Sequence, residues 1–342
     1  MVVTFLCFLL SGIPSHGEPD FLCMFWNVEN FFEAKPHFND KCNGIAKTVM
    51  LVADEFGRMP DVVGLAEVEN CRVVRKLISR TALRKMDYGI IHYDSPDRRG
   101  IDCALLYRRS RFHPIFSKPC HLTDPSGRLL PTRDILLVVL EPLNAAGKSS
   151  PWRDSANYVR SGPSHRIPRG LRPLVSGGPL PLPLSGGGQA LQGLTPGRRC
   201  IPERVAVLVN HHPSKVGKGS GGRRELAMAR LLALRDSLMA EGIRRIVAIG
   251  DFNEEVAPAQ GVVPAYPKEA GTIKFQGKWE KIDGCPVLEG FQAREHIFAP
   301  PHLSTRDTRF SGTKPLRTFS GPRYLGGLSD HYPIILECLE VN

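Results

Sequence analysis

The sequence predicts an α/β protein built as a layered sandwich, in which sheets are covered by helices. Short apolar runs rich in β-branched residues, such as FLCMFWNV at 21–28 and RRIVAIG at 244–250, are typical of strands buried on both faces. Two longer segments, 41–56 and 222–242, repeat their apolar residues at helical spacing instead. Because strand runs and helical segments are interleaved along the chain, we expect helices on the outer faces of packed sheets.

Length and composition allow one large domain with a sizeable core. The chain has 342 residues, of which 42% are hydrophobic and 23% charged, an ordinary balance for a globular protein. No apolar run approaches the ~18 residues needed to cross a bilayer, so no integral membrane segment is predicted. We expect a single domain over residues 18–342 and a monomer.

The first seventeen residues resemble a secretory signal peptide, because an apolar stretch is followed by small and polar residues. The basic start of such signals is missing, and a buried first strand or a misassigned start codon explains the same letters. Nine cysteines become eight if Cys7 is removed with this segment, and an even number suits an oxidising compartment. A secreted or periplasmic location is therefore favoured slightly over a cytoplasmic one. No CxxC pair occurs, which favours buried free thiols.

Residues 144–203 differ from the rest of the chain in composition. They are dense in Pro, Gly and Arg and show neither helical nor strand periodicity, which predicts a disordered insertion. The flanking runs 134–141 and 204–210 are typical of strands that a short hairpin would otherwise join. Residues 144–204 carry nine Lys/Arg and two acids, so they supply +7 of the net charge of +11. Two interpretations are open. We favour a solvated linker or a frame-shifted stretch over a basic arm that binds phosphates.

Carboxylate, amide and imidazole side chains fall at the ends of the predicted strands. They come in pairs along the chain: Asn27 with Glu29, Glu67 with Glu69, His211 with His212, Asp251 with Asn253, and Asp330 with His331. Strand ends open onto a shared crevice, so these groups can form one site. Carboxylate oxygens bind Mg²⁺, an oriented His or Asp activates water, and an amide or second His stabilises an oxyanion. The pattern predicts metal-assisted phosphoryl chemistry.

Each of these residues alone has a simpler explanation. An Asp-His pair commonly closes a turn, GDFN is compatible with an Asx-turn after a buried strand, and a histidine after an apolar strand is often a hydrogen-bonded core residue. The simpler explanations do not predict that polar pairs of this kind occur at all five strand ends of one chain.

The motifs resemble those of the endonuclease/exonuclease/phosphatase superfamily, over about residues 21–143 and 204–340. They are FWNVENFF, GLAEVEN, VNHHPSK, GDFN, KWEKIDG and LSDHYPI. The resemblance implies a four-layer α/β sandwich, with two mixed sheets packed face to face between flanking helices. It also implies a Mg²⁺-dependent enzyme similar to deoxyribonucleases and abasic-site endonucleases, for which Mn²⁺ is a possible substitute.

The resemblance assigns roles to individual residues. It places Asn27, Glu67 and Asp330 at the metal. It makes catalytic residues of His211, Asp251, Asn253, Asp283 and His331, with Asp283 orienting His331. It implies substrate binding by Asn27, Arg99 and Asp102, although solvated turn charge and strand capping explain the last two equally well.

We predict a Mg²⁺-dependent phosphodiesterase in which water attacks phosphorus in line, acting on nucleic acid with little sequence preference. The first alternative is a lipid or small-molecule phosphoesterase, similar to sphingomyelinases or inositol phosphatases. A lipid enzyme needs an exposed apolar element, which the sequence does not reveal. The second alternative is an inactive module that binds nucleic acid through phosphate contacts, which would weaken steeply with salt.

Overall fold

The computed structural model describes residues 20–143, 204–215 and 220–340. The resemblance to a signal peptide at residues 1–17 and the predicted insertion at 144–203 lie outside the described residues. Three α-helices are described: α1 (Phe38–Phe56), α2 (Cys71–Arg80) and α3 (Ser220–Ala240). Two short 3₁₀ helices span Ala82–Lys85 and Pro301–Leu303.

The described residues form eighteen strands. The first nine are β1 (Phe21–Phe31), β2 (Val62–Val68), β3 (Tyr88–His92), β4 (Asp102–Arg108), β5 (Phe112–Cys120), β6 (Ile135–Pro142), β7 (Val205–His211), β8 (Arg245–Asp251) and β9 (Val262–Pro264). The others are β10 (Ile273–Phe275), β11 (Lys278–Glu280), β12 (Asp283–Glu289), β13 (Phe291–Ile297), β14 (Ser304–Arg306), β15 (Thr313–Pro315), β16 (Phe319–Ser320), β17 (Arg323–Tyr324) and β18 (Ile334–Glu340).

Two large mixed sheets contain most of these strands. The seven-stranded sheet has the order β3-β4-β2-β1-β18-β13-β9, and the five-stranded sheet has the order β12-β8-β7-β6-β5. Strand β1 runs parallel to β2 and antiparallel to β18, and β7 runs parallel to β8 and antiparallel to β6. The short strands pair as β10-β11, β14-β15 and β16-β17. The predicted fold class is confirmed.

Three apolar layers hold the sandwich together, because successive side chains of a strand face opposite sides. On β1, Phe25 lies in the layer between the two sheets, together with Ile249 of β8. Its neighbour Trp26 faces the other way, in the layer that α1 and α2 cover. Leu231 of α3 belongs to a third layer on the outer face of the five-stranded sheet. Burial on both faces explains why the central strands are continuous apolar runs.

The strands on either side of residues 144–203 are direct neighbours. Strands β6 and β7 pair antiparallel, with Leu136 opposite Val209 and Leu140 opposite Val205. The five-stranded sheet is therefore continuous across this point of the chain, and β7 carries His211 to its end in regular register.

The described cysteines are free thiols, and all but Cys71 are buried, as the sequence predicts. In the same part of the chain, no helix is long and apolar enough to span a bilayer.

Candidate active site at the strand ends

Both sheets bring polar side chains to one edge of the sandwich. Asn27 comes from β1 of the seven-stranded sheet, and His331 lies three residues before β18. From the five-stranded sheet, His211 and Asp251 are the last residues of β7 and β8, and Asp283 is the first residue of β12. All five are buried. The site is thus assembled between the two sheets.

At the site, two hydrogen bonds join residues carried by the two sheets. Asn27 Nδ2 donates to Asp251 Oδ2 over 3.0 Å, and His331 Nδ1 lies 2.8 Å from Asp283 Oδ2. His331 Nε2 lies 3.9 Å from Asp251 Oδ2. The two carboxylates and the imidazole between them form one compact group that is shielded from solvent.

Backbone contacts fix the orientation of Asp251. Its Oδ1 accepts a hydrogen bond from the backbone N–H of Asn253 at 2.8 Å. Asn253 has a left-handed φ of 54°, and its side-chain Nδ2 donates to the carbonyl of His212 at 2.9 Å. The GDFN turn therefore places the carboxylate and the amide side by side.

The ionisation of this group is strongly perturbed. Burial and the neighbouring Asp283 carboxylate raise the pKa of Asp251 to about 7, against the opposing effect of His331. Burial lowers the pKa of His331, but the ion pair and hydrogen bond with Asp283, together with Asp251, outweigh it and hold the pKa well above its usual value. At neutral pH, an imidazolium therefore stands beside a carboxylate that is poised to exchange a proton.

The two adjacent histidines have separate surroundings. His211 Nε2 lies 3.6 Å from Asp251 Oδ2, and burial together with Arg133 and Arg99 holds its pKa well below the usual value, so the ring is neutral. The His212 ring packs edge-on against Phe252 with centroids 4.8 Å apart. Alternation along a strand predicts this division, and His211 is the one that faces Asp251.

Of the residues assigned to a metal, Asn27 and Asp330 adjoin this group, and Glu67 lies on the neighbouring strand β2, one residue after the partner of Asn27. Glu67 Oε2 accepts from the backbone N–H of Asn30 at 2.8 Å, and Asp330 Oδ1 lies 4.0 Å from His331 Nε2. Burial lowers the pKa of Lys41 to about 8, against the opposing charges of Glu29, Glu67 and Asp330. These three carboxylates therefore all lie close enough to the buried Lys41 ammonium group to stabilise its charge.

The donor set fits a hard divalent cation. Asn27, Glu67 and Asp330 offer only oxygen ligands, which Mg²⁺ prefers. Within the described residues, Glu67 Oε1 and Asp330 Oδ1 make no hydrogen bond. A second grouping, Asp251 with Asp283 and His331, has its ligand atoms within 4.8 Å of one another. One oxygen of that grouping, Asp283 Oδ1, is buried without a hydrogen-bond partner in the described part of the chain.

Arg99 and Asp102, predicted to bind substrate, occupy different positions. Asp102 accepts hydrogen bonds from the backbone N–H of Ser95 at 2.8 Å and from His92 Nε2 at 3.1 Å, so its carboxylate holds the loop that precedes β4. The Arg99 side chain is 51% exposed, and its Nε lies 3.7 Å from Asp97 Oδ1. Arg99 lies close enough to His211 for its charge to lower the pKa of that histidine. The contacts of Asp102 are with its own loop and with His92.

Sequence reasoning missed two residues that connect the parts of the site. Buried Arg133 donates to the carbonyl of His212 and, over 3.2 Å, to Asp97 Oδ2. Ser329 Oγ donates to the carbonyl of Asn27 at 2.6 Å and accepts from the backbone N–H of His331 at 3.0 Å. The only signals are a basic residue just before β6 and a serine just before Asp330, and neither is specific.

Backbone strain is concentrated at the site. Among the described residues, seven that are not glycine have left-handed φ angles. Four of them lie at the site: Glu29, Asn30, Glu67 and Asn253. Such conformations cost about 1–3 kcal/mol each and persist where function constrains the backbone.

A sandwich of two mixed sheets with a buried carboxylate-imidazole group at one edge defines a class of α/β sandwich proteins with a candidate acid-base site. The sequence model described as "Endonuclease/Exonuclease/phosphatase family" matches residues 26–144 and 259–340, more than half of the chain. The chain belongs to this family and is a phosphoester hydrolase. Enzymes of the family generally use divalent metal ions, and the described residues include groups that could bind one. No curated protein matches the chain in sequence.

Solved structures share the fold at low sequence identity. An endonuclease/exonuclease/phosphatase from Bacteroides vulgatus matches with a TM-score of 0.51 and 15% identity, covering 94% of this chain and 99% of its own. A mannosyl-6-phosphatase from Bacteroides thetaiotaomicron matches with a TM-score of 0.51 and 11% identity, covering 93% and 99%. Truncated Caenorhabditis elegans TDP2 matches with a TM-score of 0.50 and 13% identity, covering 94% and 98%.

Proposed function

We propose that this protein is a Mg²⁺-dependent phosphodiesterase that cleaves nucleic acid with little sequence preference. The observation that carries the proposal is the buried group of Asp251, Asp283 and His331, closed by the hydrogen bond from Asn27. A cation held by Asn27, Glu67 and Asp330 would neutralise charge on the phosphate as the reaction proceeds. Mn²⁺ has the same preference for oxygen ligands and is a possible substitute.

The chain's own residues supply the proton transfers. Asp251, with its pKa raised to about 7, accepts a proton from the attacking water as the new oxygen–phosphorus bond forms. His331, held by Asp283 through Nδ1, presents Nε2 to the phosphate and donates its proton to the leaving oxygen as the old bond breaks. His211 and the second Asn253 amide hydrogen stabilise charge on the phosphate oxygens.

A basic surface next to the site favours nucleic acid as the substrate. Residues 71–86, which include α2, contain six cationic residues and no acid. They are Arg72, Arg75, Lys76, Arg80, Arg84 and Lys85; all except Lys76 are exposed, and Arg72 and Lys76 pair with Glu33. Helix α2 begins four residues after Glu67, so the start of this surface is tied to the strand that carries a proposed metal ligand. A row of cations matches a polyphosphate backbone better than it matches an isolated phosphate ester.

The test is nicking of supercoiled plasmid in Mg²⁺, with EDTA and an Asp251→Ala variant as negative controls. We expect nicking by the wild-type protein, no nicking in EDTA, and a loss of at least about 10²-fold in the variant, because the proton acceptor is removed. Asp236→Ala is the matched control, since Asp236 is an exposed aspartate on α3 that pairs with Arg235.

Two results would contradict the proposal. Nicking that is equal in wild-type protein and Asp251→Ala would come from a contaminant. No nicking, together with hydrolysis of a lipid or sugar phosphate that requires Asp251, would establish a phosphoesterase of a different substrate class.

A further inference from the structure

Arg317, in the segment between β15 and β16, lies against two carboxylates at the edge of the site. Its Nε and Nη2 donate to Glu29 Oε1 over 3.0 and 2.8 Å. The same Nη2 lies 3.1 Å from Asp330 Oδ2. The Glu29 contacts use the Nε–Nη2 edge of the planar guanidinium group, and Asp330 lies against Nη2.

Glu29 is committed to holding this arginine and its neighbour. Its second oxygen, Oε2, accepts the backbone N–H of Thr318 at 2.8 Å, and the residue is only 6% exposed. The buried ammonium of Lys41 donates to the Glu29 carbonyl and, over 2.7 Å, to Thr318 Oγ1. Three hydrogen bonds to one buried carboxylate therefore fix residues 317 and 318 on the end of β1, and the guanidinium is held rigidly before any ligand arrives.

The Nη1 group of the guanidinium is available to a ligand. Arg317 Nη1 makes no hydrogen bond within the described residues, and the side chain is 47% exposed. The Asp330 carboxylate separates Arg317 from His331, because its other oxygen lies 4.0 Å from His331 Nε2. The guanidinium group thus lies one carboxylate away from His331 Nε2.

We propose that Arg317 binds an oxygen of the substrate phosphate and that Glu29 is the positioning residue that aims it. The planar guanidinium matches phosphate oxygens in geometry and keeps its charge at all working pH values. A lysine at this position would supply charge without the two-pronged contact to Glu29. The inference rests on the proposed phosphate-ester hydrolysis, but it concerns residues to which the motifs assign no role.

Chemical rescue tests whether Arg317 touches the phosphate. We expect Arg317→Ala to reduce kcat/KM for bis(4-nitrophenyl) phosphate by about 10²–10³-fold, the usual effect of removing one donor to a developing oxyanion. Guanidinium ion in the buffer should restore part of this loss. Glu29→Gln should raise KM without rescue by guanidinium, because the arginine is still present but no longer aimed.

Variants that keep the fold make the test decisive. Arg323→Ala is the matched control, since Arg323 is an exposed arginine on the β16–β17 hairpin and should leave kcat/KM unchanged. Arg317→Lys keeps the positive charge and serves as a second variant in case Arg317→Ala does not fold. Thermal melting of every variant checks that it is folded. Equal rates in wild type and Arg317→Ala, or a reduced rate in both Arg317→Ala and Arg323→Ala, would overturn the proposal.

A binding measurement separates this proposal from the proposed function. Titration calorimetry with inorganic phosphate in Mg²⁺ buffer should show affinity in the wild type and in Arg323→Ala, and a loss of at least tenfold in Arg317→Ala. That result in a protein that hydrolyses no ester would support Arg317 and reject the proposed function. Phosphate affinity that is absent, or independent of Arg317, in an active enzyme would reject Arg317 alone.

Discussion

Asp251 accepts a hydrogen bond at each of its carboxylate oxygens, from the side chain of Asn27 and from the backbone of Asn253. Glu29 is held in the same way, by Arg317 and by the backbone of Thr318. Because one partner of each carboxylate is a backbone group, its orientation follows from the fold. The site is therefore arranged for its ligands in advance, which avoids the cost of ordering side chains during the reaction.

The ionisation of His212 makes the free energy of unfolding depend on pH. Burial, with Arg133 and Arg224 nearby, lowers its pKa to about 3. Neither ring nitrogen has a hydrogen-bond partner in the described part of the chain. Because the unfolded chain binds a proton near pH 6.5 and the folded protein does not, stability is fully present above that pH. It falls by about 1.4 kcal/mol for each pH unit between pH 6.5 and the folded-state pKa of about 3.

His212→Phe should remove this loss. The phenyl ring keeps the packing against Phe252 without a titrating group. We expect the variant to match the wild type at pH 8 and to be more stable by about 2 kcal/mol at pH 5, following the slope above. The measurement is urea unfolding at both pH values, with His113→Phe on β5 as the control. A stability difference that is the same at pH 5 and pH 8 would contradict the assigned ionisation.

The sequence predicts most of the site because its residues follow recognisable strands. Asn27 comes late in the apolar run of β1, and His211 and Asp251 end β7 and β8. Their positions on the strands follow from the sequence, whereas the packing of the two sheets brings them together. Arg133 and Ser329 could not be predicted, since their partners are backbone carbonyls brought close only by the folded chain. No residue type or spacing marks such contacts in advance.

At the scale of elements, the close approach of β7 and β8 depends on one glycine. Gly250 lies opposite Asn210 in the parallel pair, and a Cβ atom there would lie 2.5 Å from the Asn210 Cβ and carbonyl oxygen. The next residues on the two strands are His211 and Asp251, whose side chains meet at 3.6 Å. Spacing between the strands therefore sets the distance between these two groups.

Gly250→Ala should separate the strands and impair the site. We expect a loss of about 1–3 kcal/mol in unfolding free energy, as for other overpacked positions. We also expect kcat to fall by more than about tenfold, because the distance between His211 and Asp251 changes. Gly222→Ala on α3 is the matched control, because no atom lies within 4 Å of its added Cβ. That control should be neutral or stabilising, since alanine favours the helix by about 1 kcal/mol. Equal effects of the two substitutions would refute the argument.

Several of the elements that the sequence did not predict have weak patterns. Strand β5 contains two prolines, Pro114 and Pro119, and most of its residues are half-buried, so it lacks an apolar run. The hairpins β14–β15 and β16–β17 have strands of only two or three residues. Such segments become strands through contacts with the rest of the fold, and not through their own periodicity.

At the scale of the whole molecule, we propose that residues 20–340 form one domain interrupted by the segment 144–203. Leu140 and Val205 already pair across β6 and β7, so a short hairpin would connect them without changing the sheet. Closing a loop costs about 0.6 kcal/mol more for each doubling of its length. The long connection therefore opposes folding unless it makes contacts of its own.

Replacing residues 144–203 with a linker of about four Gly and Asn residues should preserve the fold and raise its stability by about 2 kcal/mol. Plasmid nicking should be retained, because the site lies in the sheets. Urea unfolding and the nicking assay check both expectations. Loss of plasmid binding at low salt with normal hydrolysis of a small diester would instead assign the segment as a basic arm that holds nucleic acid.

The bonds from Asn27 to Asp251 and from His331 to Asp283 each join one sheet to the other. Under the proposed function, catalysis therefore depends on two docked surfaces, which the apolar layer around Phe25 and Ile249 aligns. A close-packed layer transmits small displacements, so an exchange of one core side chain far from the solvent could shift the reacting groups by a fraction of an ångström. Natural selection on residues of this interior layer would then act on the reaction rate as well as on the stability of the fold.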